Sequence, residues 1–212
     1  MENIIAINKP KGPTSFDIVA QVRRRTGVKK VGHAGTLDPL ASGVLVVAIG
    51  REATKKISEE VAKEKEYVAD IRLGVISTTD DEEGAKSIVS EYKPEREEIL
   101  EAIKGFIGEI QQVPPQFSAI KISGRPAYKT ARQGGKLELV ARPVLIKSIE
   151  LIEYKYPDLK IRVVTGPGVY IRSLARDLGQ MLGCGAYMSD LVRIRVGEYQ
   201  LEDAIKAEEI TR

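Results

Sequence analysis

The apolar residues of this chain fall into short runs that glycine and proline separate, and this punctuation restricts the folds open to it. The longest apolar run, residues 44–49, has the length of a buried strand and falls well short of the about 18 residues typical of a membrane span. Residues 65–74 alternate apolar and polar side chains, as a half-buried strand does, whereas Ile18, Val19 and Val22 share one helical face. Short strands mixed with amphipathic helices predict an α+β fold with a mixed, largely antiparallel sheet flanked by helices.

The same patterns, followed along the chain, predict a single domain over residues 1–212, because no repeat or linker-like segment divides them. The expected strands are residues 3–8, 45–49, 65–74, 144–154, 159–165 and 191–196. The expected helices are residues 15–25, 53–65, 95–105, 170–182 and 201–210. The proline-containing run at 112–128 predicts a loop, a strand and a second loop, followed by a helical turn at 128–132.

The scarcity of histidine and cysteine excludes several kinds of chemistry. His33 and Cys184 are the single residues of their types, so neither an internal disulfide nor a His/Cys metal site can form. The sequence also lacks a GxSxG elbow, a phosphate-binding GxxxxGK[ST] loop and a GxGxxG fingerprint. We therefore expect no structural zinc site, and a carboxylate as the reactive group of any enzyme. The N-terminus lacks the pattern of a secretory signal, which predicts a cytoplasmic protein.

The charged residues are unevenly distributed along the chain. Residues 1–56 carry a net charge of +6, residues 57–110 of −8 and residues 111–212 of +5. Within residues 121–136, Lys121, Lys129 and Arg132 are among the basic side chains, and no acidic residue interrupts them. Together with Tyr128, these residues are typical of a nucleic-acid contact, although solvated surface charge explains the pattern equally simply.

The stretch GHAGTLDPLASGVL, residues 32–45, is the first candidate site. Asp38 precedes a proline, which favours an extended backbone, and the surrounding glycines let the main chain approach another object closely. Such a loop can present the carboxylate to a substrate, but an Asp that caps its own turn fits the spacing as well. His33 is either a turn residue or a planar ring that contacts RNA.

A second candidate site lies in VTGPGVYIRSLARDLG, residues 164–179. The glycines predict a tight turn, after which a helix carries Tyr170 and Arg172 near its N-terminus. Arg172 is suited to holding a nucleophilic carboxylate ionised, but an ion pair with Asp177 is equally compatible with the sequence. Tyr67, on the apolar face of the 65–74 strand, is by itself best interpreted as a core aromatic.

Five motifs taken together resemble one family, the bacterial-type tRNA pseudouridine-55 synthases of the TruB family. The matching segments are KPKGPTS, GHAGTLDPLASGVL, KEYVADIRLG, VPPQFSAIKISGRPAYKTARQG and GVYIRSLARDLG, and they occur in the family's order. The resemblance extends over residues 4–200. It implies the pseudouridine synthase fold and the isomerisation of uridine to pseudouridine at position 55, in the T-loop of tRNA, with the target base flipped out of its stack. We expect no metal and no cofactor, because this implied reaction oxidises nothing and no group leaves the site.

The resemblance also assigns roles by position. It matches Asp38 to the essential catalytic aspartate, Arg172 to its basic partner, and Tyr67 to the tyrosine that stacks on the target base. Further matches are His33 to a histidine in the RNA loop, Tyr170 and Leu191 to the uridine pocket, and Lys9 and Pro10 to the motif beside the active loop. The segment near 121–142 matches a loop that closes over the T-arm. Whether Asp38 acts as nucleophile or as base stays open.

Two departures from the family pattern qualify the resemblance. Residues 165–169, TGPGV, replace a common Cys-Ser-Lys-Gly-Thr, which alters the turn that delivers Arg172. Family members typically continue into a C-terminal RNA-binding domain of the PUA type, which we do not expect within this chain. The partner implied is the T-arm of tRNA, with no membrane, and we expect a monomer. A non-catalytic RNA-binding module and a sister enzyme acting on ribosomal or guide-directed RNA are the competing hypotheses.

Overall fold

The computed structural model describes residues 3–118 and 139–210, together with the backbone of two short strands between them. Its strands are Asn3–Lys9 (β1), Val31–Ala34 (β2), Ser42–Ile49 (β3), Lys65–Leu73 (β4), Val75–Ser77 (β5), Lys86–Ile88 (β6), Gly108–Gln112 (β7), Lys121–Ile122 (β8), Arg125–Pro126 (β9), Arg142–Lys155 (β10), Asp158–Thr165 (β11), Ala186–Val196 (β12) and Tyr199–Gln200 (β13). Its helices are Ser15–Thr26 (α1), Arg51–Lys55 (α2), Ile57–Ala62 (α3), Arg96–Lys104 (α4) and Ile171–Met181 (α5), and Ala207–Glu209 forms a 3-10 turn.

The strands form a mixed sheet in the order β1-β3-β12-β4-β11-β10-β7, with β2 paired to β3 and β13 paired to β12. The pairs β1–β3, β2–β3, β7–β10 and β12–β13 are antiparallel, whereas β12 and β3 run parallel. Strands β5–β6 and β8–β9 form two small antiparallel sheets. The expected α+β fold with a mixed, largely antiparallel sheet is therefore confirmed.

The Cα positions group into two compact units. The first contains Met1–Val68, Arg162–Pro167 and Leu191–Arg212, and the second contains Ala69–Ile161 and Gly168–Asp190. The prediction of a single domain over residues 1–212 stays a prediction. Among the described residues, no helix is both long and apolar enough to cross a lipid bilayer.

The core of the first unit explains why residues 44–49 are continuously apolar. Strand β3 is buried on both faces, so the alternation of a half-exposed strand is absent. Leu45, Val47 and Ile49 belong to one buried cluster, which also contains residues of α1, whereas Val44 and Val46 belong to a second cluster. Strand β3, which follows the segment that contains Asp38, is thus packed on both of its faces.

Helix α1 begins and ends where its sequence predicts. The Thr14 side chain accepts a hydrogen bond from the Asp17 N–H, and the Asp17 carboxylate accepts one from the Thr14 N–H, which is a reciprocal capping box. Gly27 ends the helix with a φ of 71°, a left-handed conformation that suits glycine, and its N–H donates to the Arg23 carbonyl. Helices α4 and α5 also occur close to their expected positions.

Two helix predictions were wrong. The segment 53–65 forms the short helices α2 and α3, which Lys56 separates. The terminal segment 201–210 contains only a 3-10 turn, and the backbone of Ile205 within it bonds to strand β1. The Ile205 N–H donates to the Ala6 carbonyl, and the Ile205 carbonyl accepts from the Asn8 N–H. A pairing of this kind is tertiary and therefore overrides the local helical pattern.

Candidate active site

The stretch 32–45 is a strand, a loop and a strand rather than one continuous turn. Strands β2 and β3 pair antiparallel with His33 opposite Val47, and residues 35–41 connect them. His33, expected in a turn or loop, therefore lies in a strand. Asp38 lies in the connecting loop, where its backbone carbonyl accepts a hydrogen bond of 3.1 Å from the Ala41 N–H. The loop is therefore a short connection between two strands that pair with each other.

Lys9 fastens the second half of this loop. Its fully buried ammonium donates to the carbonyl oxygens of Ala41 at 2.7 Å, Pro10 at 2.9 Å and Pro39 at 3.5 Å. Burial lowers the pKa of Lys9 to about 8, the negative charge of Asp38 raises it, and Arg193 lowers it further. Lys9, matched to the motif beside the active loop, thus contacts that loop and attracts its carboxylate.

Arg193, which the sequence reasoning missed, fastens the two ends of the loop. Its side chain is 1% exposed. The Nε–H donates to the Val44 carbonyl at 2.8 Å, and an Nη2–H donates to the Gly35 carbonyl at 2.9 Å. Because Gly35 precedes Asp38 and Val44 follows it, one guanidinium spans the whole loop.

Ser15 of the same unit also supports the loop, and a second buried lysine, Lys65, lies close to Gly35. The Ser15 hydroxyl donates to the Leu37 carbonyl at 3.0 Å and accepts from the Leu37 N–H at 2.9 Å, which ties the start of α1 to the residue before Asp38. The buried Lys65 ammonium donates to the carbonyl oxygens of Val61 and Lys63. Burial, reinforced by the charge of Arg193, lowers the pKa of Lys65 to about 8.

Four more predicted site residues lie in this first unit. Burial, with a smaller contribution from the charge of Arg193, holds the pKa of His33 below its ordinary value, so the imidazole is neutral near pH 7. Tyr67 on β4 and Leu191 on β12 are each 7% exposed. Such burial fits the core interpretation of Tyr67 and also fits a rigid wall of a pocket. Pro10 follows β1 and is exposed, next to the anchored Lys9.

Arg172, on α5 in the second unit, forms a buried ion pair with Asp81. The distance between Nη1 of Arg172 and Oδ2 of Asp81 is 3.0 Å, and the two side chains are 6% and 3% exposed. A second nitrogen, Nη2, donates to the Phe117 carbonyl at 3.0 Å. Asp177, the alternative partner considered from the sequence, instead pairs with Arg176. The pairing of Arg172 with Asp38 stays a prediction.

Asp81 was missed because it lies in TTDDEEG, which resembles a solvated polar turn. The other oxygen of its carboxylate accepts hydrogen bonds from the Thr79 hydroxyl and the Glu83 N–H. The neighbouring Asp80 pairs with Arg176 at 2.9 Å, one helical turn after Arg172 on α5. Two ion pairs therefore fix this turn against α5. The sequence pattern that points to these ion pairs is the i, i+4 spacing of Arg172 and Arg176 on one helical face.

Tyr170 caps α5 and is held through its backbone. Its N–H donates to Oε1 of Gln112 at 2.8 Å, and its carbonyl accepts from Nε2 of the same amide at 3.1 Å. The Arg142 guanidinium lies 5.2 Å from the centre of the Tyr170 ring and donates to the Gly168 carbonyl. Arg142 and Gln112 thus fix the end of the TGPGV turn where it meets α5.

Four predicted RNA-contacting residues fall outside the described part of the chain, namely Lys121, Tyr128, Lys129 and Arg132, except that the backbone of Lys121 lies in β8. The predicted helical turn at 128–132 lies outside it as well. Within residues 3–118 and 139–210, no group of three or more His, Cys, Asp or Glu side chains is arranged to hold a metal ion.

Comparison with known proteins places these residues in a family. Residues 23–171 match the family "TruB family pseudouridylate synthase (N terminal domain)", and residues 172–212 match "tRNA pseudouridylate synthase B C-terminal domain". The chain is 47% identical over 211 residues to the tRNA pseudouridine synthase B of Protochlamydia amoebophila, covering 99% of this chain and 80% of that protein. It is 46% identical over 214 residues to the protein of the same name from Phocaeicola vulgatus, covering 97% and 90% respectively.

Solved structures agree with this placement. An archaeal box H/ACA sRNP Nop10–Cbf5 complex contains a chain that is 30% identical, with a TM-score of 0.72 over 97% of this chain. The present chain spans about half of that one, 51% of its length. A second structure, described as a crystal structure of pseudouridylate synthase, is 17% identical with a TM-score of 0.51 and shares the fold.

Proposed function

Because the chain belongs to the TruB family of pseudouridylate synthases, we propose that it isomerises uridine to pseudouridine at position 55 of tRNA, with Asp38 as its catalytic residue. The observation that carries this proposal is the anchoring of the Asp38 loop. Buried Lys9 and Arg193 hold four carbonyl oxygens between Gly35 and Val44. Two buried, charged side chains thus donate their hydrogen bonds to one short loop. This supports a function of the loop that requires a fixed position.

The reaction conserves all atoms of the nucleotide. The bond between N1 of uracil and C1′ of ribose breaks, the base turns in its pocket, and C5 forms a new bond to C1′. The hydrogen on C5 is lost as a proton, and N1 gains one. Asp38 acts at the sugar, either as a nucleophile at C1′ or as a base, and neither role calls for a cofactor or a metal. Ionised Asp38 is favoured by the positive charge of Lys9, whose own pKa it raises.

The remaining residues are proposed to receive the flipped uridine. Taking a base out of its stack costs a few kcal/mol of free energy. Contacts between the flipped base and the protein have to recover about this amount. We assign Tyr67 and Leu191 to contacts with that uridine, and the family resemblance adds Tyr170 and Arg172 as further substrate-binding residues. The support is the rigidity of these positions, since both Tyr67 and Leu191 are 7% exposed and Arg172 is held by Asp81.

The T-arm of tRNA is the proposed binding partner. His33 is assigned to a contact in the RNA loop, and the segment near 121–142, with Lys121, Tyr128, Lys129 and Arg132, to a contact with the T-arm. The net charge of +6 over residues 1–56 and of +5 over residues 111–212 supports a polyanionic partner. Phosphate contacts release counterions, so binding is expected to weaken as salt rises. We further propose a monomer in the cytoplasm, where the unpaired Cys184 fits a reducing environment.

The decisive experiment is the isosteric substitution Asp38→Asn. The variant is expected to bind unmodified tRNA as the wild type does and to form no pseudouridine at position 55 in a single-turnover assay. Turnover by the variant would overturn the assignment of Asp38. Binding without product by the wild-type chain would instead favour a non-catalytic RNA-binding module.

A guide-directed or ribosomal RNA substrate is the second candidate, because the solved structures that resemble this chain include H/ACA assemblies. The higher identity to tRNA-acting relatives, 46–47% against 30–31%, favours tRNA. Mapping pseudouridines in cells that lack the protein separates the two. Loss confined to position 55 of tRNA supports the proposal, whereas loss in ribosomal RNA supports the alternative.

A further inference from the structure

Phe16 exposes an aromatic ring beside the candidate active loop. It is the second residue of α1, its side chain is 72% exposed, and its ring lies edge-on to His33, with 5.5 Å between ring centroids and an interplanar angle of 87°. A single exposed apolar residue is ordinary on a protein surface. Two features set Phe16 apart, namely its ring partner and the way in which its backbone is fixed.

The backbone around Phe16 is tied to the residue before Asp38. The adjacent Ser15 exchanges two hydrogen bonds with the backbone of Leu37, and the Thr14–Asp17 capping box fixes the first turn of the helix. On the other side of the ring pair, His33 is fixed by the β2–β3 pairing. Both rings are therefore positioned relative to Asp38 before any ligand arrives, which limits the entropy lost on binding.

The chemistry of this aromatic pair fits an unpaired nucleobase. The Phe16 and His33 rings carry no charge near pH 7, since burial keeps the imidazole neutral. The surrounding sequence is strongly basic, with ten Lys or Arg against four Asp or Glu in residues 1–56. A flat uncharged surface on a segment of net positive charge suits a base attached to a phosphodiester chain, because unpaired bases of RNA loops stack on aromatic side chains. An apolar peptide would gain nothing from the charge.

We propose that Phe16, supported by His33, is a stacking platform for an unpaired base of the RNA loop, distinct from the uridine that reacts at Asp38. The inference deepens the proposed function and rests on an RNA substrate. Phe16, at 72% exposed, can cover most of one face of a base. Held there, the loop base would stabilise the opened RNA while the target is outside its stack.

The test compares RNA binding by three variants in an Asp38→Asn background, so that no turnover occurs. Phe16→Ser removes the ring, Phe16→Tyr retains a stacking surface, and Val61→Ser, on α3, is the matched control at another exposed apolar residue, 40% exposed. Phe16→Ser is expected to raise the Kd for unmodified tRNA about 10-fold, or about 1.4 kcal/mol. Phe16→Tyr and Val61→Ser should bind like the parent.

Salt dependence distinguishes stacking from electrostatics. Phe16→Ser should leave the slope of log Kd against log salt unchanged, because the phosphate contacts are intact. Equal affinities of Phe16→Ser and Val61→Ser, a loss that Phe16→Tyr does not recover, or a changed slope would each overturn the platform. Pseudouridine formation by the wild-type chain is measured in parallel. Its failure would overturn the proposed function, while the binding series still decides the role of Phe16.

Discussion

The Arg172 guanidinium and the Asp81 carboxylate form an ion pair at 3.0 Å with both side chains almost wholly buried. Removing one member of such a pair strands the other charge in a medium that solvates it poorly, at a cost of about 3–5 kcal/mol. Asp81→Ala is therefore expected to lower the free energy of unfolding by that amount in urea titrations. Because Arg172 is a proposed site residue, turnover should fall as well.

The same unit offers a matched control for this substitution. Arg72 and Asp158 form an ion pair at 2.6 Å, but their side chains are 42% and 69% exposed. Water solvates both charges when the pair is broken, so Asp158→Ala should cost about 0–1 kcal/mol. If the two alanine variants had the same urea midpoint, burial would not be what makes the Arg172–Asp81 pair important.

Arg193 is expected to affect the rate through the loop that it spans. Arg193→Gln cannot reach both the Gly35 and Val44 carbonyls, and an unsatisfied buried acceptor costs about 1–3 kcal/mol. We expect a lower single-turnover rate at saturating tRNA, measured where circular dichroism shows the variant to be folded. Arg195→Gln, two residues along β12, loses ion pairs with Glu64 and Glu66 but no bond to the loop. Its saturated rate should match the wild type, and an equal fall in both variants would remove the special role of Arg193.

Gly43 is expected to tolerate no side chain. It has a φ of 104°, and a Cβ there would lie 2.2 Å from the backbone oxygen of Arg193. Gly12 has nearly the same φ, 105°, with nothing within 4 Å of the corresponding position. Both alanine substitutions strain the backbone alike, so their difference isolates crowding, about 1–3 kcal/mol for an overpacked core. Thermal unfolding should show Gly43→Ala to be the less stable variant by this margin, and equal stabilities would contradict the close approach of β3 and β12.

Lys9 should make stability depend on pH with a definite sign. Burial lowers its pKa from 10.5 to about 8, so between these values the unfolded chain binds a proton that the folded chain has released. The free energy of unfolding therefore rises with pH in this window, relative to a Lys9→Met variant, by up to about 1.4 kcal/mol for each pH unit. Thermal unfolding of both proteins at pH 7.5 and 9.5 measures the difference. A wild-type advantage that stayed constant or shrank at the higher pH would contradict a pKa of Lys9 that burial lowers.

The local part of the fold could be predicted from the sequence, whereas the long-range part could not. The caps of α1 and the alternation of β4 are set by neighbouring residues, and both elements lie where they were expected. Strand β2 is four residues long and contains a glycine, so its strand conformation depends on β3. The 201–210 segment fails as a helix for the same reason, because β1 takes its backbone hydrogen bonds.

The residues of the candidate site also differ in whether local sequence or long-range contacts define them. The motifs predict Asp38, Lys9 and Arg172 as site residues, because short sequence patterns mark such residues. Arg193 and Asp81 carry no local mark, since a charged residue in a strand or an acidic turn normally faces water. Their partners lie far away in the sequence, with Arg193 bonded to residues 149 and 158 positions earlier and Asp81 to one 91 positions later. These contacts form only when the chain folds, so the sequence alone does not show that Arg193 and Asp81 are buried.

The bonds that Lys9 and Arg193 make to the Asp38 loop all end on carbonyl oxygens. Main-chain oxygens are present whatever residue occupies a position, so this attachment does not depend on the side chains of the loop. Residues such as Thr36 or Leu40 can therefore be exchanged during evolution while the path of the chain, and with it the position of Asp38, is retained. The loop can acquire new preferences for its RNA without having to be rebuilt around its carboxylate.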